Sequence, residues 1–350
     1  MNFSHVFINN YVILLATLIG MPVLLYLLRL VALNAGLVDV PNARKIHAKP
    51  VPLIGGLALF IMASLLLYFT NAVNEFSFYL IIATGLVVMV GLLDDIYQLS
   101  AFWRFLVQIT ASLIIIYFAK VQLNTFGLLL IPGWEMNLGL LAIPVTVFGV
   151  VGVINALNMA DGIDGLAAMT FCLPVIVIIG MNGQSAMSLW LLFVVICVGV
   201  FIIFNKTTKY KIFLGDNGSL LLGFILAWLL VYFSQGETAI FKPVTALYLV
   251  ALPIYDTIFV MLRRILKGKS PFKPDNTHLH HLFLAQGWSQ TKVLLMIVVF
   301  QAVLILLGVV FLNMGLAEYY QFYLFVLMSV IYYFLVKKSW KTVNHLKGAQ

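Results

Sequence analysis

Long apolar runs, interrupted at short intervals by Asp, Lys, Arg, Pro and Gly, set the pattern of this chain. Eleven such runs lie at 11–33, 53–70, 78–94, 103–119, 138–157, 163–180, 186–204, 217–233, 241–262, 292–313 and 320–337. A helix needs about 20 apolar residues to cross a bilayer. Runs 53–70, 78–94 and 103–119 are short for that, so they leave little room for tilt. The stretch 122–133 is too short to cross and reads as a re-entrant or interfacial piece. The alternating apolar and polar strands of a membrane barrel are absent, so the runs are expected to be helices, whose backbone bonds close internally. The pattern predicts an all-α polytopic membrane protein of about eleven transmembrane helices, forming a single integral-membrane domain over 1–350.

Composition agrees with a bilayer as solvent. The chain is 63% hydrophobic and 9% charged, with a mean hydropathy of +1.09, outside the range of soluble domains. Charge then sets orientation. With eleven spans, one side receives 34–52, 95–102, 158–162, 205–216, 263–291 and 338–350. That side, with the span ends beside it, holds eighteen of the twenty Lys and Arg, and only Lys120 and Lys242 fall opposite. The positive-inside rule places the N-terminus outside and the C-terminus in the cytoplasm. Met1 to Asn10 carries no Lys or Arg and does not resemble a cleavable signal peptide, so the first span is expected to stay in the protein. The expected location is a membrane that borders the cytoplasm, crossed many times. The net charge of +8 then reflects topology and a phosphate-bearing substrate, and nucleic acid is not an expected partner. Cys172 and Cys197 lie inside predicted spans and read as small buried apolar residues.

The acids sort by side. All eight Asp (39, 94, 95, 161, 164, 216, 256, 275) fall on or near the cytoplasmic face, and all four Glu (75, 135, 237, 318) fall on the other. A carboxylate near a lipid-embedded segment is costly, so by default it marks function. Gly91-Leu-Leu-Asp94-Asp95-Ile-Tyr-Gln98 ends the third run with two adjacent carboxylates, which need a proton or a cation between them. Asn155-Ala-Leu-Asn158-Met-Ala-Asp161-Gly162-Ile-Asp164-Gly165 joins the fifth and sixth. Its Asn158, Asp161 and Asp164 are three apart, which on a helical turn places them near one face. Lys209-Tyr-Lys211-Ile-Phe213-Leu-Gly215-Asp216-Asn217-Gly218-Ser219 opens the eighth. Glycines before a helix N-terminus suit an anion or its bound metal, while a plain N-cap is the simpler role for Asp216.

Two further loops are basic. Arg263-Arg264-Ile-Leu-Lys267-Gly-Lys269-Ser-Pro271-Phe-Lys273-Pro274-Asp275 precedes His278-Leu-His280-His281. Its basic residues suit phosphate, although topology alone accounts for Lys267 and Lys269. With no Cys nearby, the histidines read as phosphate hydrogen-bonders more than as a zinc site. The loop Asp39-Val-Pro41-Asn42-Ala-Arg44-Lys45-Ile-His47-Ala-Lys49-Pro-Val-Pro52-Leu-Ile-Gly55-Gly56 offers a second anion contact. Asp256, about two turns inside the ninth run from Arg263 and Arg264, either neutralises an Arg or joins the site. Grouped carboxylates that suit Mg²⁺, with basic groups and glycine loops, point to phosphoryl transfer. A transporter is the main rival, but its ionisable residues should approach the midplane, and here most lie at one edge. A scaffold role rests on apolar composition alone.

In order along the chain, the Pro41-Asn42 to Gly56 loop, Asp94-Asp95, Asn158-x-x-Asp161-Gly-Ile-Asp164-Gly, Gly215-Asp216-x-Gly-Ser219 and His278-x-His280-His281 resemble the polyprenyl-phosphate N-acetylhexosamine-1-phosphate transferases. The resemblance runs from about Asp39 to Gly287 and is strongest to bacterial members that make undecaprenyl-diphospho-N-acetylglucosamine. It implies that UDP-N-acetylglucosamine and undecaprenyl phosphate give UMP and the lipid diphosphosugar, the first membrane step of a cell-surface polysaccharide such as O antigen. It implies Mg²⁺, with Mn²⁺ as a substitute, held by Asp216 with Asp94 and Asp161. Asp94 would position or deprotonate the lipid phosphate, with Asp95 in support. Asn155, Asn158, Asp161 and Asp164 would serve the nucleotide and metal side, and Phe213 would stack on uracil. Arg264, His278, His280, His281 and Lys49 would hold sugar or phosphate groups.

One position departs from the family pattern: Gln98 stands where a third Asp or Asn often follows the acidic pair, and it is not counted as a metal ligand. The histidine segment differs from that of the muramoyl-pentapeptide transferases, which favours a plain acetamido sugar. Another UDP-acetamido sugar, a one-step or a covalent two-step route, the polymer made and the oligomeric state, a homodimer included, stay open at the level of sequence.

Overall fold

A computed structural model describes residues 3–40, 49–270 and 277–348. Pro41, Asn42, Arg44, Lys45 and His47 of the first basic loop, and Pro271, Lys273, Pro274 and Asp275 of the second, lie outside the described residues. The elements run α1 (Phe3–Ala35), β1 (Val38–Asp39), β2 (Val51–Pro52), α2 (Gly55–Phe69), α3 (Glu75–Tyr97) and α4 (Ala101–Ile114), which continues as a π-turn over Ile115–Ala119. They go on as α5 (Ala142–Ala160), α6 (Leu166–Asn182), α7 (Ala186–Lys206), α8 (Gly215–Tyr232), α9 (Pro243–Leu249), α10 (Ala251–Ile265), α11 (Leu279–Ala285), α12 (Gln290–Asn313) and α13 (Glu318–Gly348).

Every one of the eleven apolar runs is helical. Among the described residues, eight helices are long and apolar enough to cross a membrane. The run 241–262 does not form one straight helix. It breaks at Val250 into α9 and α10, bent by 78°, and counts as a ninth span if the pair is one. The remaining two runs give the shorter apolar helices α2 and α6. The stretch 122–133 is irregular and hydrogen-bonds to the segment after it, Phe126 N–H to Met136 O at 3.0 Å and Met136 N–H to Gly127 O at 2.8 Å. Gln235 satisfies more of its backbone, accepting from Asn124 N–H at 3.0 Å and donating to Thr125 O at 3.1 Å. Both cysteines are buried and free, as expected.

The chain divides into two units, one of residues 1–121 with 175–228, the other of 122–174 with 229–350. In the first, α1 and α2 pack on α7, and α3 packs along α4. The hairpin pairs Val38 with Pro52 and Asp39 with Val51, and Phe213 joins it through a parallel bridge to Leu53. Beyond its first turn α8 is apolar on every side, and 83% of its spanning window is buried. In the second unit α5 packs on α10, α9 on α12 and α13, and the short α11 on α12 and α13.

The break at Val250 frees backbone groups that lipid cannot satisfy, so a side chain must do it. Gln301 of α12, 1% exposed, accepts from Leu252 N–H at 2.9 Å and donates to Leu249 O at 2.7 Å, bridging the break from both sides. Gln301→Leu leaves one buried donor and one buried acceptor unpaired, each costing about 1–3 kcal/mol. It should lower the thermal midpoint of the detergent-solubilised protein by several degrees. An unchanged midpoint would show that the break does not depend on this residue.

Candidate active site

In the first unit, α3 and the start of α8 meet backbone to backbone. A Cβ on Gly91 would collide with Cα of Asn217, and one on Gly56 with the backbone of Gly218. Gly215 has φ +74°, and a Cβ there would lie 2.7 Å from Asp95 Oδ2. Glycine is therefore required at 215 by conformation as well as by space. Gly55 N–H and Gly56 N–H donate to Phe213 O and Leu214 O, both at 3.1 Å, fixing the Phe213–Gly215 strand that leads into α8. This is the physical content of the paired glycines in the Gly55-Gly56 and Gly215–Gly218 motifs.

Close approach brings Asp95, one turn beyond Gly91, onto the first turn of α8. Its Oδ1 accepts from Asp216 N–H at 2.9 Å, and its Oδ2 from Asn217 N–H at 3.2 Å and Asn217 Nδ2 at 2.6 Å. A carboxylate on the free N–H groups of a helix start is favoured by both hydrogen bonding and the dipole. Asp95 thus caps α8 from another helix. The amides expected to suit an anion are already taken, and the Asp216 side chain is not needed as their cap.

Asp94 points elsewhere. Its Oδ2 is 3.0 Å from Arg104 Nη1 of α4, and its carboxyl, 6% exposed, faces that of Asp216 closely enough for the two to interact. Asp216 is half-buried at the start of α8, three residues after Phe213, whose ring lies under Lys211 Nζ at 5.2 Å. Two hard-oxygen carboxylates side by side suit Mg²⁺, which uses one or two protein carboxylates and completes its shell with water and phosphate oxygen. Among the described residues no cluster of three or more His, Cys, Asp or Glu is arranged to hold a metal.

In the second unit α5 ends at Ala160, and Asp161 and Asp164 lie in the turn before α6, not on a continuous helix face with Asn158 as the spacing suggests. The turn is closed by Asp161 N–H to Asn158 O at 3.1 Å, and Gly165 adopts φ +83°. Asn155 donates to Val151 O of its own helix at 2.8 Å. Gly162 lies against His280, where a Cβ would strike Nε2. His280 is 2% exposed, and burial, with His281 beside it, pushes its pKa down to about 3. It is neutral and internal, while the His281 ring, 4.1 Å away, is half-buried.

The residue left open by sequence, Asp256, sides with the histidines. Its Oδ2 lies 2.8 Å from His278 Nδ1, and its Oδ1 accepts from Leu279 N–H at 2.9 Å and from the Tyr332 hydroxyl at 2.8 Å. Arg264, 8% exposed, donates from Nε to Ser270 O at 2.6 Å, so part of its guanidinium holds the loop that follows α10. Lys49 is exposed beside β2. Two members were missed in the sequence. Arg104 was counted only as a cytoplasmic charge, though it stands ten residues after Asp94 at the head of the next helix. Tyr332 lies in the last apolar run, and nothing in the residue order links it to position 256.

Residues 77–234 match the model of glycosyl transferase family 4. The chain is 35% identical over 348 residues to the undecaprenyl-phosphate alpha-N-acetylglucosaminyl 1-phosphate transferase of Salmonella typhi, covering 93% of this chain and 90% of that protein. It is 36% identical over 331 residues to the protein of the same name from Yersinia pestis, with 92% and 90% covered. The one from Haemophilus influenzae is 33% identical over 340 residues, with 95% of each covered. Fold and comparisons together define a multi-pass helical membrane transferase. The chain belongs to the polyprenyl-phosphate N-acetylhexosamine-1-phosphate transferase family that its motifs resemble.

The division of labour within the acidic pair is testable by amide exchange. Asp95→Ala should accelerate hydrogen exchange at the Asp216 and Asn217 amides and lower the thermal midpoint, because a cap removed from a helix start costs about 0.5–2 kcal/mol. Asp94→Ala should leave exchange at those two amides unchanged. Equal acceleration in both variants would refute the assignment.

Proposed function

We propose that the chain transfers N-acetylglucosamine 1-phosphate from UDP-N-acetylglucosamine to undecaprenyl phosphate, releasing UMP. Family membership supports the reaction class, and the names of the relatives support the lipid acceptor and the sugar. The observation that carries the reading is the Asp94–Asp216 pair, set by α3 against the capped start of α8. The bias of Lys and Arg supports eleven crossings of the bacterial inner membrane, N-terminus outside, with these loops in the cytoplasm where a UDP-sugar is available.

Asp216 and Asp94 are assigned to Mg²⁺, which when bound would neutralise charge on the diphosphate. Asp94 orients the acceptor phosphate, with Arg104 fixing its carboxylate. Asn158, Asp161 and Asp164 serve the nucleotide side, and Phe213 offers a half-buried ring for uracil. In the reaction an oxygen of the lipid phosphate attacks the sugar-bearing phosphorus of the UDP-sugar. A new P–O bond forms as the bond to the uridylate oxygen breaks, and UMP leaves with that electron pair. Direct attack is favoured over an aspartyl-phosphate because the ion pair with Arg104 leaves the Asp94 carboxylate a weaker nucleophile.

Membranes or purified protein should release UMP only when UDP-N-acetylglucosamine, undecaprenyl phosphate and Mg²⁺ are all present. Asp216→Ala should lower the rate at least about 10²-fold, the scale of losing one electrostatic element at a phosphoryl centre. Release at the wild-type rate would remove Asp216 from the metal. Direct attack predicts no exchange of labelled UMP into UDP-N-acetylglucosamine without the lipid. Exchange under those conditions would establish the two-step route.

A further inference from the structure

The Asp256–His278 pair lies outside the matched segment 77–234, and its geometry specifies more than proximity. Asp256 sits on α10, His278 immediately before α11, and Tyr332 on α13, all in the second unit. Both carboxylate oxygens are occupied: Oδ1 by the Leu279 amide and the Tyr332 hydroxyl, Oδ2 by His278 Nδ1. His278 is 5% exposed and Tyr332 4%, so the contacts on Asp256 are largely shielded from water. The titratable groups against the His278 ring are Asp256, Tyr332 through Asp256, and the neutral His280, whose ring is stacked parallel at 5.9 Å. Among the described residues nothing hydrogen-bonds the second ring nitrogen, Nε2.

A carboxylate with partners on both oxygens is a poor ligand for substrate or metal and a good holder of one imidazole nitrogen. We infer that Asp256 is a positioning residue: it keeps the proton on His278 Nδ1 and makes Nε2 the nitrogen that meets the sugar-phosphate substrate. Tyr332 and the Leu279 amide fix which oxygen does this. They are both donors, so they hold Oδ1 in place and leave Oδ2 for the ring. A neighbouring acceptor that sets tautomer and ring orientation is the established logic of an Asp–His pair. Here it acts on a residue that sequence marks only as one of three histidines.

The same two donors determine what a substitution does. In Asp256→Asn the amide oxygen must stay on Leu279 N–H and Tyr332 O–H, because both are donors. The NH₂ group then faces His278 Nδ1, which can only accept, and the proton moves to Nε2. The tautomer inverts while the packing is preserved.

The substrate named in this inference rests on the transferase reading, but the tautomer is read without turnover. Histidine-selective ¹⁵N NMR of the full-length protein in detergent, with His278→Gln to assign the signal, should show Nδ1 protonated in wild type and unprotonated in Asp256→Asn. An unprotonated Nδ1 in wild type overturns the inference, and that measurement stands even if Asp256→Asn does not fold. UMP release should fall about 10- to 100-fold in Asp256→Asn, the usual cost of removing the group that orients a working histidine. In the His278→Gln background the same change should cost no more than a further twofold. A full additional loss there would mean that Asp256 acts independently of His278 and would also overturn it. If wild-type protein released no UMP, the proposed reaction would fail while the tautomer result remained interpretable.

Discussion

In a bilayer, no water is available to complete a broken backbone, so each place where a helix starts or breaks at depth must find its partner inside the protein. Gln301 meets that demand inside a run expected to cross the bilayer, and two further side chains satisfy helix starts at the ends of such runs. Asp95 closes the start of α8, Gln301 bridges the break between α9 and α10, and Asp256 takes the first amide of α11. Each belongs to a different helix from the one it completes. The irregular features of the fold are therefore held by tertiary contacts of single polar residues, and the candidate chemistry is built beside them.

This constraint changes how acids in an apolar chain are interpreted. An intramembrane carboxylate is a functional candidate by default because its desolvation is costly. The cost can also be offset by a helix start, whose free N–H groups are themselves costly if left unpaired. Asp94 and Asp95 are adjacent in sequence yet answer to different needs. One looks towards Arg104 and Asp216, the other is committed to the start of α8. Successive residues on a helix point about 100° apart, so adjacency in sequence does not imply a shared role.

Much of this was legible in the residue order. The eleven apolar runs all became helices, because uninterrupted apolar length in the absence of strand alternation leaves one economical structure in lipid. The acidic and glycine motifs named the segments in which Asp94, Asp95 and Asp216 meet. What stayed hidden depended on contacts distant in sequence. The 78° break has its cause in the sequence at Pro253, which cannot donate to Leu249 O and crowds it, but Gln301, the residue that completes the break, is distant in the chain. The role of Asp256 needed Tyr332, 76 residues away. Asp161 and Asp164 were expected on a helix face because a three-residue spacing is shared by helices and by turns with glycine, and the local sequence does not separate the two.

Gly162 carries a consequence of another kind. With no side chain of its own, it lets the buried His280 ring rest directly on the Asp161–Asp164 turn, and no space remains between them. Two loops that are more than a hundred residues apart in the chain are thereby mechanically engaged, like meshed teeth. The place of the histidine helix and the place of the acidic turn are set by one contact, and a side chain at position 162 would force the two apart.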